Sequence, residues 1–402
     1  MVNIYNYIGK TFFIMALSML CSFICTIILA KKMSFDSFGL FALVKSMIPL
    51  LSIISLAGFE KAYTKRYATR DTEGVIHYLL LFIIVVSFLV SFLFTYIYSI
   101  NEYLIYIYIG TVFGALNLFL TSYFRLKDYY FLAQFISSGH KVIFFVFILV
   151  GLNFSNIVSE SLSVKLLSFA MFVPSILYIF YYFISKPKYK SIRNFYDFFE
   201  LYRTGFIFFI IGILNLILMT IDKWIIPILY DNQVLGIYTA LGFVCITVYS
   251  MLGSAIGYVI FPELSKRNNL NVNKFIKSIS IIPIVVSLFF LFFGEIINDL
   301  VYEGKYNPWQ SFEINIYFIV IGLCQFFNAI IHWIVLSKGL RKTMFHYFKI
   351  MLVQILLIFI GSAFFLKNVD LDINMIAFFI MILIMVKLIS TYFLVKKIIF
   401  VK

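Results

Sequence analysis

Long apolar runs, repeated along almost the whole chain, are the feature that most restricts how this sequence can fold. Residues 78–97, for example, contain no charged side chain. A helix rises 1.5 Å per residue, so about 20 apolar residues cross the roughly 30 Å of hydrocarbon in a bilayer. Strands of a membrane barrel would alternate apolar and polar residues, and these runs do not. Since helices are the other backbone that satisfies its own hydrogen bonds in lipid, the sequence predicts an all-α integral membrane protein.

Charged, Gly, Pro and Asn residues break the apolar runs into twelve predicted transmembrane helices. Only 12% of the 402 residues are charged, against roughly 25% in a typical soluble domain, so little of the chain is left for an aqueous domain. The first run is too long for the apolar core of a signal peptide and is predicted to be a retained span. The predicted spans are residues 8–30, 39–59, 75–98, 103–124, 131–151, 163–184, 205–227, 236–260, 278–300, 314–336, 347–366 and 375–395.

The basic residues are distributed unevenly between the two sides of these spans. With the N-terminus in the cytoplasm, 23 of the 32 Lys and Arg residues lie on the cytoplasmic side, five lie outside and four lie within spans. Such an excess is typical of cytoplasmic loops, so both termini are predicted to be cytoplasmic. Basic loops beside spans are attracted to anionic membrane lipids. The formal charge of +14 therefore does not indicate a nucleic-acid partner.

The longest predicted connection, residues 185–204, divides the chain into two halves. It is basic, and it separates a predicted six-helix bundle at residues 1–184 from a second at residues 205–402. Within it, residues 195–202 (FYDFFELY) have the amphipathic pattern of a helix on the membrane surface, with a plain solvated linker as the alternative.

A weak internal repeat supports the division. An offset of 197 residues aligns Gly39 with Gly236 and Phe41 with Tyr238. Two halves with six spans each have the same orientation, because six is an even number of crossings, and a parallel repeat is what such halves should show. The alternative is coincidence between two apolar sequences.

Four lysines inside predicted spans are the main candidates for a binding site. Lys141 and Lys387 lie near the middle of their spans, whereas Lys45 and Lys223 lie closer to the outer side. Because a charge at the bilayer centre costs at least about 2.5–3.5 kcal/mol, such residues are expected to face protein or a water-filled cavity. The functional hypothesis is a cationic cavity that holds an anionic group of a substrate. The alternative is that each lysine extends its ammonium to the interface or pairs with a carboxylate.

Asp222 and His140 are the candidates for carrying a coupling ion. Asp222 is an acid within span seven, beside Lys223, and adjacent helical residues point about 100° apart and need not pair with each other. His140 titrates near neutrality in water, which suits a proton carrier; the alternative is a hydrogen-bonded packing histidine.

Features of an enzyme are scarce. The four cysteines lie within predicted spans, which indicates neither a disulfide nor a zinc site. There is no GxSxG, Walker A or HExxH sequence. Asp370-Leu371-Asp372 resembles the two-aspartate metal motif of nucleotide-sugar glycosyltransferases, but it is predicted to lie outside, away from cytoplasmic nucleotide sugars. The sequence therefore predicts a transporter with no catalytic residue, no metal and no cofactor.

The middle of the chain resembles a transporter family. Residues 221–266 (IDKWIIPILYDNQVLGIYTALGFVCITVYSMLGSAIGYVIFPELSK) are similar to the O-antigen and capsule polysaccharide flippases, the polysaccharide transporter branch of the multidrug, oligosaccharidyl-lipid and polysaccharide exporter superfamily. In that family an Asp followed by Lys or Arg ends span seven, Gly-Ile-Tyr opens span eight and Pro-Glu-Leu closes it. Here these are Asp222 and Lys223, residues 236–238 and residues 262–264. Residues 38–68 look like the matching region of the first half.

The resemblance implies the exporter-superfamily fold and a function. Such proteins move undecaprenyl-diphosphate-linked oligosaccharide from the cytoplasmic to the periplasmic leaflet of the bacterial inner membrane, by alternating access of two six-helix halves. Lysines in the cavity would offset the phosphate charge. Coupling to protons or sodium is also implied, with Asp222 as the first choice and Glu60 and Asp128 as alternatives nearer the cytoplasm. Other polysaccharide-assembly proteins would be its partners, beside membrane lipids.

Three other functions compete with this one. An exporter of small cationic drugs from the same superfamily would favour acids in its cavity over lysines. A polysaccharide polymerase resembles a polytopic protein with a large outer loop, and the predicted outer loops here have about 15 residues or fewer. A scaffold that transports nothing is the third.

Overall fold

The computed structural model is helical throughout the part of the chain that it describes, which is residues 2–67, 76–127, 129–154, 159–185, 195–266, 272–338, 341–365 and 372–400. Two short 3-10 turns, Asn101–Tyr103 and Asn307–Trp309, precede α5 and α12. The helices are α1 (Val2–Lys32), α2 (Phe35–Leu56), α3 (Phe59–Tyr67), α4 (Ile76–Ile97), α5 (Leu104–Leu126), α6 (Tyr130–Phe154), α7 (Glu160–Ser185), α8 (Phe195–Met219), α9 (Ile221–Leu229), α10 (Asn232–Lys266), α11 (Val272–Tyr302), α12 (Phe312–Lys338), α13 (Arg341–Phe365) and α14 (Ile373–Phe400).

The number of helices able to cross a membrane makes this a polytopic membrane protein. Within the described ranges nine helices are long and apolar enough, and a tenth span is formed if the bent pair Phe209–Met219 and Ile221–Leu229 is counted as one. The predicted spans at α7 and α13 are outside that count; α13 contains a shorter apolar stretch, Phe345–Gly361. The total of twelve spans in two six-helix bundles stays a prediction.

The helices form two compact units, of which the first is Met1–Leu216. In it α1 packs along α6, while α5 lies against α2, α6 and α7. The α2–α5 contact is close because Gly110 and Gly114 of α5 face Ile48 and Ser52 of α2. Beneath them the buried rings of α3 and α5 form an aromatic cluster: Phe59, Tyr63, Phe119, Tyr123 and Phe124.

A sharp break separates α2 from α3. Ala57 and Gly58 both have left-handed backbone conformations, with φ of 48° and 77°, and the Ala57 N–H donates to the carbonyls of Ile53 and Ile54. Gly58 approaches Gly205 of α8 so closely that a Cβ on Gly58 would lie 2.5 Å from the Gly205 carbonyl oxygen. The turn thus fixes the start of α3 against α8, and a side chain at either glycine would force the two backbones apart.

The second unit is Ile217–Lys402. Its central contact is α10 against α12, where glycines leave room for aromatic rings: Gly242 faces Phe318, and Gly322 faces the fully buried Tyr249. Helix α14 packs on α12 and α13. The offset of 197 residues seen in the sequence also separates Phe35 and Asn232, the first residues of α2 and α10.

Two sequence predictions are corrected here. Residues 195–202 are the first two turns of α8 and continue into the span without a break, so they form neither a separate surface helix nor a plain linker. The span predicted at residues 205–227 is not continuous, because a bend of 59° at Thr220 divides it into α8 and α9. Several predicted features lie outside the described residues: the linker at 186–194, Asp128, Asp370 and Leu371.

Candidate functional site

Lys45 in the first unit is held in place by a neighbouring helix. Its Nζ donates a hydrogen bond of 2.6 Å to Oγ1 of Thr26 on α1, and Thr26 in turn donates to the carbonyl of Ser22. The ammonium also lies 6.0 Å from the centre of the Phe41 ring, at the outer limit of a cation–π contact. Lys45 is half-buried, so this partly desolvated charge faces protein rather than lying free on a lipid-facing surface.

His140 and Lys141 of α6 belong to the same neighbourhood. Both are half-buried, and the charges of Lys45 and Lys141 act on the His140 imidazole. The Nδ1 atom of His140 is buried and has no hydrogen-bond partner among the residues that the structure describes. The structure therefore brings three predicted site residues, from α2 and α6, into one basic group in the first unit.

Asp222 and Lys223 form a second group, in the second unit. They lie in the first turn of α9, directly after the bend at Thr220, and both are half-buried. Thr220 fixes this turn: its carbonyl accepts from the Lys223 N–H (3.0 Å) and its Oγ1 accepts from the Trp224 indole (2.9 Å). A carboxylate in the first turn is stabilised by the positive end of the helix dipole.

Tyr238 of α10 is the described residue toward which the charge of Asp222 acts. Its side chain is fully buried, and its hydroxyl has no hydrogen-bond partner within the described ranges. Sequence analysis singled out Tyr238 only as part of the Gly-Ile-Tyr motif. A buried tyrosine in the second span of a motif gives no signal that its hydroxyl is unsatisfied.

Lys387 is the most deeply buried of the predicted lysines. Only 2% of its surface is exposed, and its Nζ contacts no hydrogen-bond acceptor in the described part of the chain. It lies on α14, which packs on α12 and α13. Because an unpaired buried charge is costly, Lys387 meets the physical expectation for a functional residue most fully.

Polar residues that the sequence analysis did not single out surround the Lys387 turn. Gln354 of α13 donates from Nε2 to the Lys387 carbonyl (3.3 Å) and to Ser390 Oγ. Thr391 donates to the same carbonyl (2.8 Å) and to Oδ1 of Asn328 on α12 (3.3 Å). Neutral amides inside apolar runs were the available signal, but their partners lie on other helices.

Two further candidates carry less. Glu60, an alternative coupling acid, lies in α3 outside the spans, where burial raises the pKa of its carboxyl and the charge of Lys61 opposes that rise. The four cysteines are buried and form no disulfide. No group of three or more His, Cys, Asp or Glu residues able to hold a metal ion occurs within the described residues.

Comparisons with known proteins agree on a transporter architecture. A family model described as "Polysaccharide biosynthesis protein" matches residues 8–268. The fold is similar to that of the outward-facing conformation of a multidrug resistance MATE family transporter of the MOP superfamily, at 15% identity and a TM-score of 0.58, over 96% of this chain and 93% of that one. An inward-facing conformation of such a transporter matches at 16% identity and a TM-score of 0.64, over 95% and 94%. No curated protein sequence matches the chain.

Proposed function

The chain belongs to the polysaccharide biosynthesis protein family, and from this premise we propose that it is a flippase for undecaprenyl-diphosphate-linked oligosaccharide. The substrate would be an O-antigen or a related surface polysaccharide repeat unit, moved from the inner to the outer leaflet of the bacterial cytoplasmic membrane, with both termini cytoplasmic. Its diphosphate and sugars are too costly to expose to hydrocarbon, whereas its polyprenyl tail remains in lipid. The protein therefore supplies a polar path for the head group alone.

The observation that carries this proposal is the buried, unpaired ammonium of Lys387 in a chain of this family. Together with Lys45, Lys141 and Lys223 it supplies positive charge within the spans, which suits a diphosphate and not a cationic drug. We propose that these four lysines bind the substrate as two six-helix halves, residues 1–184 and 205–402, alternate their access around it. Protons or sodium would drive the cycle, through Asp222 and His140.

Alanine substitution of the two deepest predicted lysines tests the proposal. Lys141→Ala and Lys387→Ala should each lower surface polysaccharide by about tenfold or more, since a charge-assisted contact to phosphate is lost. Lipid-linked oligosaccharide should accumulate in the same cells. The measurement is surface polysaccharide per cell, in a host from which the gene has been removed, at matched levels of each variant in the membrane.

Lys165→Ala is the matched control. Lys165 lies 5.2 Å from the Tyr106 ring near the start of α7, outside the proposed substrate path, and its loss should leave export unchanged. Wild-type output from both Lys141→Ala and Lys387→Ala would remove these lysines from the mechanism.

A multidrug exporter of the same superfamily is the second candidate, favoured by the fold shared with the MATE transporters. A cationic drug needs an acid, and Asp222 is the acid placed within the spans. Under this alternative Asp222→Asn, but not Lys387→Ala, should make cells more sensitive to cationic drugs. Under the flippase proposal neither variant changes drug sensitivity.

A further inference from the structure

Three helices of the second unit direct buried polar side chains at one turn of α14. Lys387, Gln354 and Asn328 are 2%, 4% and 3% exposed. Each retains a polar atom with no hydrogen-bond partner among the described residues: Nζ of Lys387, Oε1 of Gln354 and Nδ2 of Asn328. Buried polar atoms are almost always satisfied, so three such atoms around one turn require an explanation.

The other half of each amide is already used, which fixes its orientation. Gln354 Nε2 donates to the Lys387 carbonyl and to Ser390, and Asn328 Oδ1 accepts from Thr391. Ser390 and Thr391 in turn donate to backbone carbonyls of α14. The amides are therefore held by α14, and turning either one over would break the bonds that it makes now.

The chemistry of the unsatisfied atoms indicates what would satisfy them. Two of the three are donors, and one of these is an ammonium, so the surplus is of positive charge and N–H groups. An acceptor with negative charge and several oxygens would match them. The single acceptor, Gln354 Oε1, suits a hydroxyl, which a protonated phosphate or a sugar carries.

We propose that Lys387, Asn328 and Gln354 form an occluded binding site for a phosphate-type oxyanion within the second unit. All three unsatisfied atoms are shielded from solvent here, so the anion reaches them only when a helix moves away from α14. Helix α13 is the element suited to this movement, because it packs on α14 and only lightly on α12. The proposal rests on the proposed function in one respect: the diphosphate of the substrate would be the natural occupant.

Binding of inorganic pyrophosphate to the purified full-length protein tests the site. The protein would be placed in nanodiscs of neutral lipid, at physiological salt or above so that contacts with the basic loops are screened. Pyrophosphate should raise the unfolding temperature of the wild type in a concentration-dependent way. Lys387→Met should weaken this binding at least about tenfold, since it removes a charge-assisted hydrogen bond.

Two further variants guard against a trivial loss of structure. Lys305→Met removes an ammonium that lies 5.3 Å from the Tyr306 ring, outside the spans, and should bind pyrophosphate as the wild type does. Asn328→Asp keeps the shape of the side chain while it replaces a donor with a negative charge, so binding should be lost although the protein still elutes as a single folded species. Equal binding by the wild type, Lys387→Met and Asn328→Asp would overturn the proposal, as would no binding by the wild type.

A second arm identifies the source of the anion. Protection by pyrophosphate in neutral nanodiscs assigns the site to a diphosphate, whereas protection only in nanodiscs that contain phosphatidylglycerol assigns it to a lipid head group; either supports an oxyanion site. Failure of the site and failure of the flippase proposal are separable. If pyrophosphate binds and Lys387→Met abolishes binding but not polysaccharide export, the site stands and its role in export falls.

Discussion

Replacing Lys387 by methionine should make the protein more stable, although it removes a charged residue from a functional position. Methionine keeps an unbranched apolar stem of similar length in the same helix and deletes only the ammonium. That ammonium is buried and has no hydrogen-bond partner in the described part of the chain, so the substitution breaks no hydrogen bond of Nζ among these residues. The hydrogen bonds to the Lys387 backbone carbonyl, from Gln354 and Thr391, do not depend on the side chain.

The size of the effect follows from the environment of Nζ. A buried polar atom left unsatisfied costs about 1–3 kcal/mol, and replacing buried ionic groups by apolar side chains of similar volume is often stabilising by about 1–4 kcal/mol. We therefore expect a gain of about 1–3 kcal/mol. For a unit of this size, with about 2–4 °C per kcal/mol, the unfolding temperature should rise by roughly 2–12 °C.

Thermal unfolding of the purified protein in detergent, without added anions, measures this gain. Unfolding of a membrane protein is commonly irreversible, so half-lives at one elevated temperature should accompany the apparent midpoints. The matched control is Lys305→Met, which loses a cation–π contact with Tyr306 worth about 0.5–1 kcal/mol and should be neutral or slightly less stable. A Lys387→Met protein that unfolds at or below the wild-type temperature would show that the ammonium is well compensated, and the reasoning from its burial would be refuted.

Two further substitutions test the packing and the pH response of the first unit. Gly205→Ala should destabilise by about 1–3 kcal/mol, because its Cβ would press on the Gly58 carbonyl, whereas Gly212→Ala on the same helix, with nothing within 4 Å of a Cβ, should be neutral or slightly stabilising in thermal unfolding. Burial raises the pKa of Glu60, so the folded state holds that proton to a higher pH than the unfolded chain, and stability should fall as pH rises through the interval above the ordinary value of 4.5. Glu60→Gln should remove this part of the pH dependence of the midpoint, and an unchanged profile would contradict the assignment.

The helices could be predicted from the sequence because the signal for them is local. Residues 78–97 carry no charge, and α4 covers them without interruption. The breaks were harder to predict. Ala57 adopts a left-handed conformation for which alanine gives no signal, and the 59° bend at Thr220 has no glycine or proline beside it, the nearest proline being Pro227. Such breaks are imposed by packing with other helices, which the local sequence does not encode.

The candidate site shows the same limit. Lys45, Lys141 and Lys387 could be identified because a charge inside an apolar run is costly wherever the run folds. Thr26, Gln354 and Asn328 could not. Their significance depends on contacts with residues that are 19, 33 and 63 positions away in the chain. A neutral amide or hydroxyl in a span is common enough as a contact between helices that only those distant partners distinguish a satisfied residue from an unsatisfied one.

The two units differ in how they hold their lysines, and this difference bears on mechanism. Lys45 already donates to Thr26, so a ligand that takes its proton donor must compete with a formed hydrogen bond. Lys387 has no such bond among the described residues, so an anion that reaches it gains the full contact and also relieves an existing cost. A ligand shifts a conformational equilibrium only by its differential affinity for the two states. Lys387 provides that difference in full, because the closed state shields it and satisfies it with nothing, and this makes the second unit the one whose opening an anionic substrate would favour.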